Sequence, residues 1–346
     1  MSSNNAGALR VSIVVPCRNE RHYIDSFIDS VSAQLPVAGG CEIIIADGMS
    51  EDGTRELLDR RSAGTPALRW IDNPSKTVSH GLNLAVAAAR GEIIIRMDVH
   101  THYARDYVAE CVRVLDATDA DNVGGPWRAT GGSYLQSAIA IAFNSPFAVG
   151  GARSHDVSFE GVVDSVYLGC WRRSRLIEIG LFDEELVRNQ DDELNLRLTR
   201  CGGTVWQSPT IQSQYSPRAS LRNLLKQYMQ YGYWKVRVIQ KHRMPASLRH
   251  VIPAGYVSAL VLAVLAALLN RDLAIGVVVL VAPYLLATVT ASVLACAARQ
   301  RWKYLPVMPL VFACYHFGYA FGFLGGVWNF LVRGRRSHGA FESLTR

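Results

Sequence analysis

Ile93-Ile94-Ile95-Arg96-Met97-Asp98-Val99-His100 and, upstream of it, Ile43-Ile44-Ile45-Ala46-Asp47 are the stretches whose reading decides the fold. Each is a short run of β-favouring residues with little alternation that ends at an aspartate. Such runs suit strands buried on both faces, and the helical stretch between them makes parallel βαβ pairing the economical reading. Ligands of parallel sheets bind beyond the carboxyl ends of the strands. Asp47 and Asp98 are therefore predicted on one rim, where two carboxylates and a histidine suit a divalent cation and a phosphorylated ligand.

Working outward, Val11 to Pro16 reads as a strand, and Cys17-Arg18-Asn19-Glu20 as the turn opening a helix through about Gln34, with Asn19 as its cap. Leu68 to Ile71 gives a third strand, and helices are expected over Thr54 to Arg61 and Val78 to Arg90. Strand and helix alternating at this rhythm predict a doubly wound, mostly parallel α/β sheet flanked by helices. After a helix near 103–115 and a strand near 122–126, the alternation stops. The glycine-rich span that follows, through Gly150-Gly151, is too long for an ordinary connection and reads as functional or mobile. Order returns with a strand over 163–171, a helix over 173–179 and a helix opened by Asn189-Gln190-Asp191-Asp192-Glu193.

The chain has 346 residues and is 49% hydrophobic, a high value because the last third is far more apolar than the rest. Three stretches, about 251–269, 273–297 and 305–332, approach or exceed the roughly 20 apolar residues that cross a bilayer, whereas a buried core helix explains only shorter runs. Before them, Leu221 to Gln240 is amphipathic and aromatic, with cations interleaved, a pattern for a helix in the headgroup layer. The expected division is thus a soluble domain over 1–217, an interfacial region over 218–250 and about three membrane helices with a basic tail over 251–346. The polar N-terminus lacks an apolar signal core, so the soluble domain is expected in the cytosol, on the inner face of the cytoplasmic membrane. Seven cysteines without C-x-x-C spacing read as reduced packing residues, neither a zinc site nor a disulfide framework.

The net charge of +7 gathers where the chain nears the membrane, from Arg218 to Arg249, so anionic membrane lipid rather than nucleic acid is the expected partner. Arg299-Gln300-Arg301-Trp302-Lys303 is expected on the cytoplasmic side and Asn270-Arg271-Asp272 outside. Three spans then place the tail Arg333-Gly334-Arg335-Arg336 outside, against the positive-inside trend, unless the third stretch, rich in glycine with His316 inside it, is re-entrant; three spans are the expected count.

Over roughly residues 11–240 the chain strongly resembles glycosyltransferase family 2, the inverting GT-A enzymes, through VSIVVPCRNE, IIIADGMSEDGT, SKTVSHGLNLAVAAARGEIIIRMDVH and LFDEELVRNQDDELNLRL in the family order. With its apolar tail it is most similar to the membrane-bound succinoglycan-type enzymes, which extend a lipid-linked sugar chain. The resemblance implies a nucleotide-sugar donor, a UDP-sugar, and a saccharide on polyprenyl diphosphate as acceptor. It implies that Pro16, Asn19 and Glu20 line the nucleotide pocket, with Glu20 reaching the ribose, Asp47 facing the base and Lys76 contacting the donor. Asp98-Val99-His100 stands at the family's D-x-D, with histidine for the second aspartate: Asp98 and His100 would hold Mn²⁺ or Mg²⁺, and Arg96 would orient Asp98 or meet a phosphate. His102 is an alternative partner for the cation.

The same resemblance gives Asp191 the general-base role, taking the acceptor hydroxyl's proton; Gln190 replaces the family's glutamate, and Asp192 is an alternative base. Complementing a helix N-terminus is the ordinary use of such acids. Asp52 reads equally as a helix cap. Gln227 to Trp234 resembles the Q-x-x-R-W element of processive synthases without its arginine, which disfavours polymerisation; Tyr231 and Trp234 are expected to stack acceptor sugars or dock on lipid. Arg153 and His155 are candidates for the acceptor's phosphates. Two further readings stand beside this one: synthesis of a polyprenyl-phosphate sugar on the bare lipid phosphate, and a non-catalytic membrane scaffold with a degenerate pocket.

Overall fold

The computed structural model describes residues 9–34, 36–335 and 341. In chain order these form β1 (Val11–Cys17), α1 (Ile24–Ser32), β2 (Cys41–Asp47), α2 (Thr54–Gly64), β3 (Leu68–Asp72), α3 (Val78–Ala88), β4 (Ile93–Arg96), β5 (His102–Tyr103), α4 (Tyr107–Thr118) and β6 (Asn122–Gly125). The chain continues through α5 (Tyr134–Phe143), α6 (Pro146–Val149), β7 (Gly161–Val162), β8 (Tyr167–Arg172), α7 (Arg173–Glu178), α8 (Gln190–Arg200), β9 (Val205–Gln207) and β10 (Ser213–Gln214). It ends with α9 (Leu221–His242), α10 (Ile252–Leu269), α11 (Ala274–Ala298) and α12 (Met308–Gly326), which runs on as a π-helical stretch over Val327–Val332.

Two compact units result. The first runs through Arg128 and resumes over Arg153–Tyr215; the second combines Ala129–Ala152 with the chain from Ser216 onward. In the first unit, eight strands pair in the order β3-β2-β1-β4-β8-β6-β9-β7. The β3-β2-β1-β4 half is parallel, as the unalternating runs predict. The other half is mixed: β8 lies antiparallel between β4 and β6, and β7 lies antiparallel to β9. Of the stretch expected over 163–171 only the later part is strand, as β8 (Tyr167–Arg172), and the short β7 (Gly161–Val162) precedes it.

Both faces of the parallel half are covered. Ile13, Val15, Ile43 and Ile45 join Ile24, Phe27 and Ile28 of α1 in one core, while Val14, Ile44 and Ile94 join Leu82, Ala85 and Val86 of α3 in the other. Fully burying one such side chain contributes about 1.5–3 kcal/mol, so two-sided burial selects apolar runs over alternation. The registers set the rim. Cys17 pairs with Asp47, Asp47 with Asp72, and Val14 with Arg96, which brings the ends of β1, β2, β3 and β4 to one edge.

In the second unit, α10, the stretch Arg271–Ala298 and the stretch Met308–Val332 are long and apolar enough to cross a membrane. The glycine-rich span read as functional or mobile is partly helical. Ser133 and Gln136 form a reciprocal capping box that starts α5, and α5 packs with the apolar helices: the Tyr134 hydroxyl donates to the Lys303 carbonyl and the Tyr315 hydroxyl to the Ile139 carbonyl.

Candidate active site

The loop after β1 is built by the loop after β2. Asn19 takes a left-handed conformation (φ 53°); its N–H donates to the Ser50 hydroxyl, and its side-chain oxygen accepts from the Glu51 N–H. It does not cap α1, whose first turn follows Tyr23 with no side-chain cap. The Glu20 N–H donates to the Thr54 hydroxyl, and Asp52 accepts from the Arg21 and Thr54 N–H groups, so Asp52 ties the start of α2, whose N-cap is Gly53, to the β1 loop. Pro16, half-buried, pairs with Ala46.

Asp47 is 0% exposed. One carboxylate oxygen accepts from the Ser50 hydroxyl, the other from the Ser50 N–H and from Arg55 at 3.1 Å. Arg55 also reaches Asp72 at 2.9 Å. The expected base-facing carboxylate is thus turned into its own loop, and it shapes the rim through Ser50 and Arg55. Lys76 is exposed, in a left-handed turn whose N–H donates to the Asn73 carbonyl.

At the end of β4, Arg96 is 6% exposed and spans Asp98 with Nε and one terminal nitrogen, at 3.3 and 3.4 Å. Its remaining nitrogen, Nη1, is buried with no hydrogen-bond partner. Burial opposes the guanidinium charge, but Asp98 and Asp191 beside it hold its pKa above the ordinary value. His100 is exposed, with Nδ1 3.8 Å from a Glu20 carboxylate oxygen, so the β1 and β4 loops meet there. Among the described residues no group of three or more His, Cys, Asp or Glu side chains could hold a metal by itself. The donor set nevertheless fits a divalent ion shared with a ligand: one carboxylate and one imidazole, with phosphate oxygens and water filling the remaining positions.

Asp98 is held from below by a residue that the sequence does not advertise. The Tyr103 hydroxyl accepts from the Asp98 N–H at 2.7 Å and donates to the Asp98 carbonyl at 3.1 Å. Burial pushes the Tyr103 pKa well up, so this donor stays protonated. Beside it the Thr101 and Tyr167 hydroxyls share a 2.7 Å bond, and Tyr167 packs 4.2 Å from Trp127, a half-exposed ring stacked parallel to His155. Arg153 is exposed and lies over the Phe159 ring at 5.3 Å. No local pattern marks Tyr103 or Tyr167 as site residues: Tyr103 reaches back five residues to the Asp98 backbone, and only tertiary folding brings Tyr167 under the charge of Asp98.

Asp191 lies in the first turn of α8 and accepts the Asp192 N–H at 3.0 Å. Desolvation of its carboxyl raises its pKa, the neighbouring Asp192 raises it further, and Arg96 lowers it. Glu193 serves the helix instead, paired with Arg197 at 2.7 Å. Gln190 is buried, its side-chain oxygen without a partner. The loop before α8 is stapled to α3: Ser79 donates to the Leu186 carbonyl, and Asn83 exchanges hydrogen bonds with the Phe182 backbone. The sheet thus gathers Glu20, Arg96, Asp98, His100 and, electrostatically, Asp191.

Tyr231 and Trp234 belong to the second unit. Trp234 is 1% exposed, packs on Phe330 and donates its indole N–H to the Phe341 carbonyl, so it offers no face to a sugar. Tyr231, half-buried, accepts from Gln227 and meets Tyr228 edge-on. The expected stacking of Trp234 on acceptor sugars is corrected accordingly: it is a packing residue of α9.

Residues 12–165 match the family model described as glycosyl transferase family 2. The chain is 33% identical over 255 residues to succinoglycan biosynthesis protein ExoA of Rhizobium meliloti, covering 73% of this chain and 77% of that protein. It is 23% identical over 240 residues, 67% and 74% of the two chains, to a Methanococcus voltae dolichyl N-acetyl-alpha-D-glucosaminyl phosphate 3-beta-D-2,3-diacetamido-2,3-dideoxy-beta-D-glucuronosyltransferase. Among solved structures, the mannosyltransferase PcManGT from Pyrobaculum calidifontis, in complex with GDP-Man and Mn²⁺, shares the fold at a TM-score of 0.58 and 17% identity, over 92% of this chain and 87% of that one.

Proposed function

Because the chain belongs to glycosyltransferase family 2, we propose that it moves a sugar, with inversion, from a nucleotide-sugar donor to a saccharide carried on a polyprenyl diphosphate, in exopolysaccharide or cell-surface glycan synthesis. The observation that carries this reading is buried Arg96, paired with Asp98 and under the charge of Asp191. One fixed cation joins a carboxylate suited to a metal with a carboxyl of raised pKa suited to accept a proton.

In this reading Asp98 and His100 hold Mn²⁺ or Mg²⁺, which when bound neutralises the donor diphosphate. Glu20 accepts from the ribose, and the Asn19 and Ser50 loop shapes the base pocket. The Arg96 Nη1 donor, unpartnered and buried, is available to a diphosphate oxygen. Asp191 takes the proton from the acceptor hydroxyl as that oxygen attacks the anomeric carbon and the bond to the donor's phosphate oxygen breaks, releasing the nucleoside diphosphate from the opposite face; its raised pKa makes it the better base. Lys76, Arg153 and His155 are assigned to the donor and to acceptor phosphates. The archaeal relative, named for an acceptor that is a dolichyl phosphate already bearing a sugar, supports a lipid-linked saccharide over the bare lipid phosphate. The donor base is assigned as uracil, although the solved neighbour holds GDP-Man. The second unit, with three candidate spans, anchors the enzyme in the cytoplasmic membrane with the catalytic unit in the cytosol.

The test supplies purified protein and Mn²⁺ with UDP- and GDP-sugars and either lipid-linked saccharide or polyprenyl phosphate. Transfer to the saccharide alone, abolished by Asp98→Ala and by Asp191→Asn, is expected. Glycolipid formation on bare polyprenyl phosphate would overturn the acceptor assignment, and undiminished transfer in both variants would overturn the site.

A further inference from the structure

We infer that only α10 and α11 cross the membrane, and that α9 and α12 lie together along its cytoplasmic surface as a lipid-binding pair. Length and composition qualify Met308–Val332 as a third span, yet 44% of its most apolar 18-residue stretch is buried inside the protein, against 11% and 6% for the other two. What buries it is α9. Leu221 meets Cys314, Leu225 faces Gly318, Met229 faces Gly322 and Tyr233 faces Gly326, so the helices run parallel, turn against turn. The approach is close enough that a Cβ at Gly322 would lie 1.9 Å from the Met229 carbonyl oxygen. Further along, Asn329 donates to the Tyr233 hydroxyl, and Arg237 lies over Phe330.

Helices paired in parallel over this length share one depth. A spanning α12 would carry α9 across with it, and α9 brings Arg222, Lys226, Lys235, Arg237 and Lys241, with Asn223, Gln227, Gln230 and Gln240 and no acid. Cations and amides at that density do not enter hydrocarbon. Laid flat at the interface, the same pair is well placed. Leu310, Phe321, Trp328 and Leu331 form an exposed apolar stripe down α12, at the spacing of one helix face, for the acyl boundary. Arg299, Arg301 and Lys303 precede α12, Arg333 and Arg335 follow it, all exposed, and no acid occurs from 299 to 336. Clusters of cations at both ends suit anionic headgroups on one side and resist placement on opposite sides. Ring contacts of His316 and Phe317 with Tyr284 and Tyr256 join α12 to the α10–α11 hairpin.

The inference replaces three spans by two and returns the basic tail to the cytoplasmic side. It rests on the cytosolic placement of the catalytic unit, and the test separates the two statements. Full-length protein is produced in a bacterial inner membrane, and cysteines are labelled with a membrane-impermeant maleimide in intact and in lysed cells. Native Cys201, exposed in the first unit, reports the catalytic side. Asn270→Cys is expected to label in intact cells, and Arg335→Cys and Cys201 only after lysis. A green fluorescent protein fused after Arg346 is expected to fluoresce, and an alkaline phosphatase there to be inactive. Labelling of Arg335→Cys, or an active phosphatase, in intact cells with Cys201 protected would restore three spans and overturn the inference. Labelling of Asn270→Cys only after lysis would keep the α10–α11 link off the outer side and overturn it too. Labelling of Cys201 from outside would instead overturn the cytosolic reading.

Discussion

Tyr103→Phe removes one oxygen and keeps the ring, which packs 4.7 Å from Tyr107 and 6.4 Å from Phe27. The Asp98 carbonyl retains the Thr101 N–H at 3.2 Å, so the loss falls on the Asp98 N–H, which is left without its acceptor. An orphaned buried donor costs about 1–3 kcal/mol. In a domain of this size each kcal/mol lowers Tm by about 2–4 °C. The larger effect is expected in function. The backbone of Asp98 then turns freely between the end of β4 and Thr101, so its carboxylate no longer waits where the cation binds. Loss of a residue that orients a metal ligand typically lowers metal affinity roughly 10–100-fold. The assay is transfer rate against Mn²⁺ concentration at saturating donor, beside a thermal melt in detergent. A half-saturating Mn²⁺ that does not move while Tm falls would refute the reasoning, since Tyr103 would then support the fold and not the ligand.

Further outcomes follow from the same structure. Asp191→Asn is expected to abolish turnover while leaving Tm equal or higher at neutral pH, because the fold raises this carboxyl's pKa and so disfavours its charged form; and since Asp192 contributes to that rise, Asp192→Asn is expected to move the acid limb of kcat/KM to lower pH, which a pH–rate profile reads. Glu42 is buried at the opposite end of the sheet, and although burial alone raises its pKa, Ser12, the Arg90 N–H and Arg69 bring it below the ordinary value. Its contribution is then present above the unfolded pKa and lost as pH falls through the folded one, so melts should show Glu42→Gln costing about 2–3 kcal/mol at neutral pH, with a flatter acid dependence than the parent. Gly322→Val sets a branched side chain against the Met229 backbone and is expected to lower Tm by forcing α9 from α12, whereas Gly325→Ala, whose Cβ meets nothing within 4 Å, should leave the melt unchanged.

The parallel half of the sheet was legible because burial on both faces leaves one admissible composition, and Ile43–Ile45 and Ile93–Ile95 have it. The rim carboxylates followed from strand polarity. The place of β8 between β4 and β6 was not legible, since a strand's neighbours are chosen by tertiary packing and Tyr167–Arg172 carries no trace of the choice. Ser133 and Gln136, three residues apart, held the signal for α5, but the surrounding glycines outweighed it. Asn19 was read as a cap for the helix after it, whereas its side chain reaches the loop of another strand. The aromatic run ending at Trp234 resembled an acceptor platform in type and order; its burial depends on α12, some eighty residues downstream.

The excursion of the chain into the second unit over Ala129–Ala152 sets a schedule for biosynthesis. The Tyr315 hydroxyl that binds the Ile139 carbonyl is made 176 residues later. At roughly 5–20 residues per second, the apolar turns of α5 wait about 10–35 s for α12. Nor can the first unit close early, because β8 and β9, which flank β6 in the sheet, follow the excursion in the chain. A fragment stopped at Tyr215 would display α5 with nothing to cover it, so the nascent protein depends on prompt delivery to the membrane rather than on a finished catalytic unit that later finds its anchor.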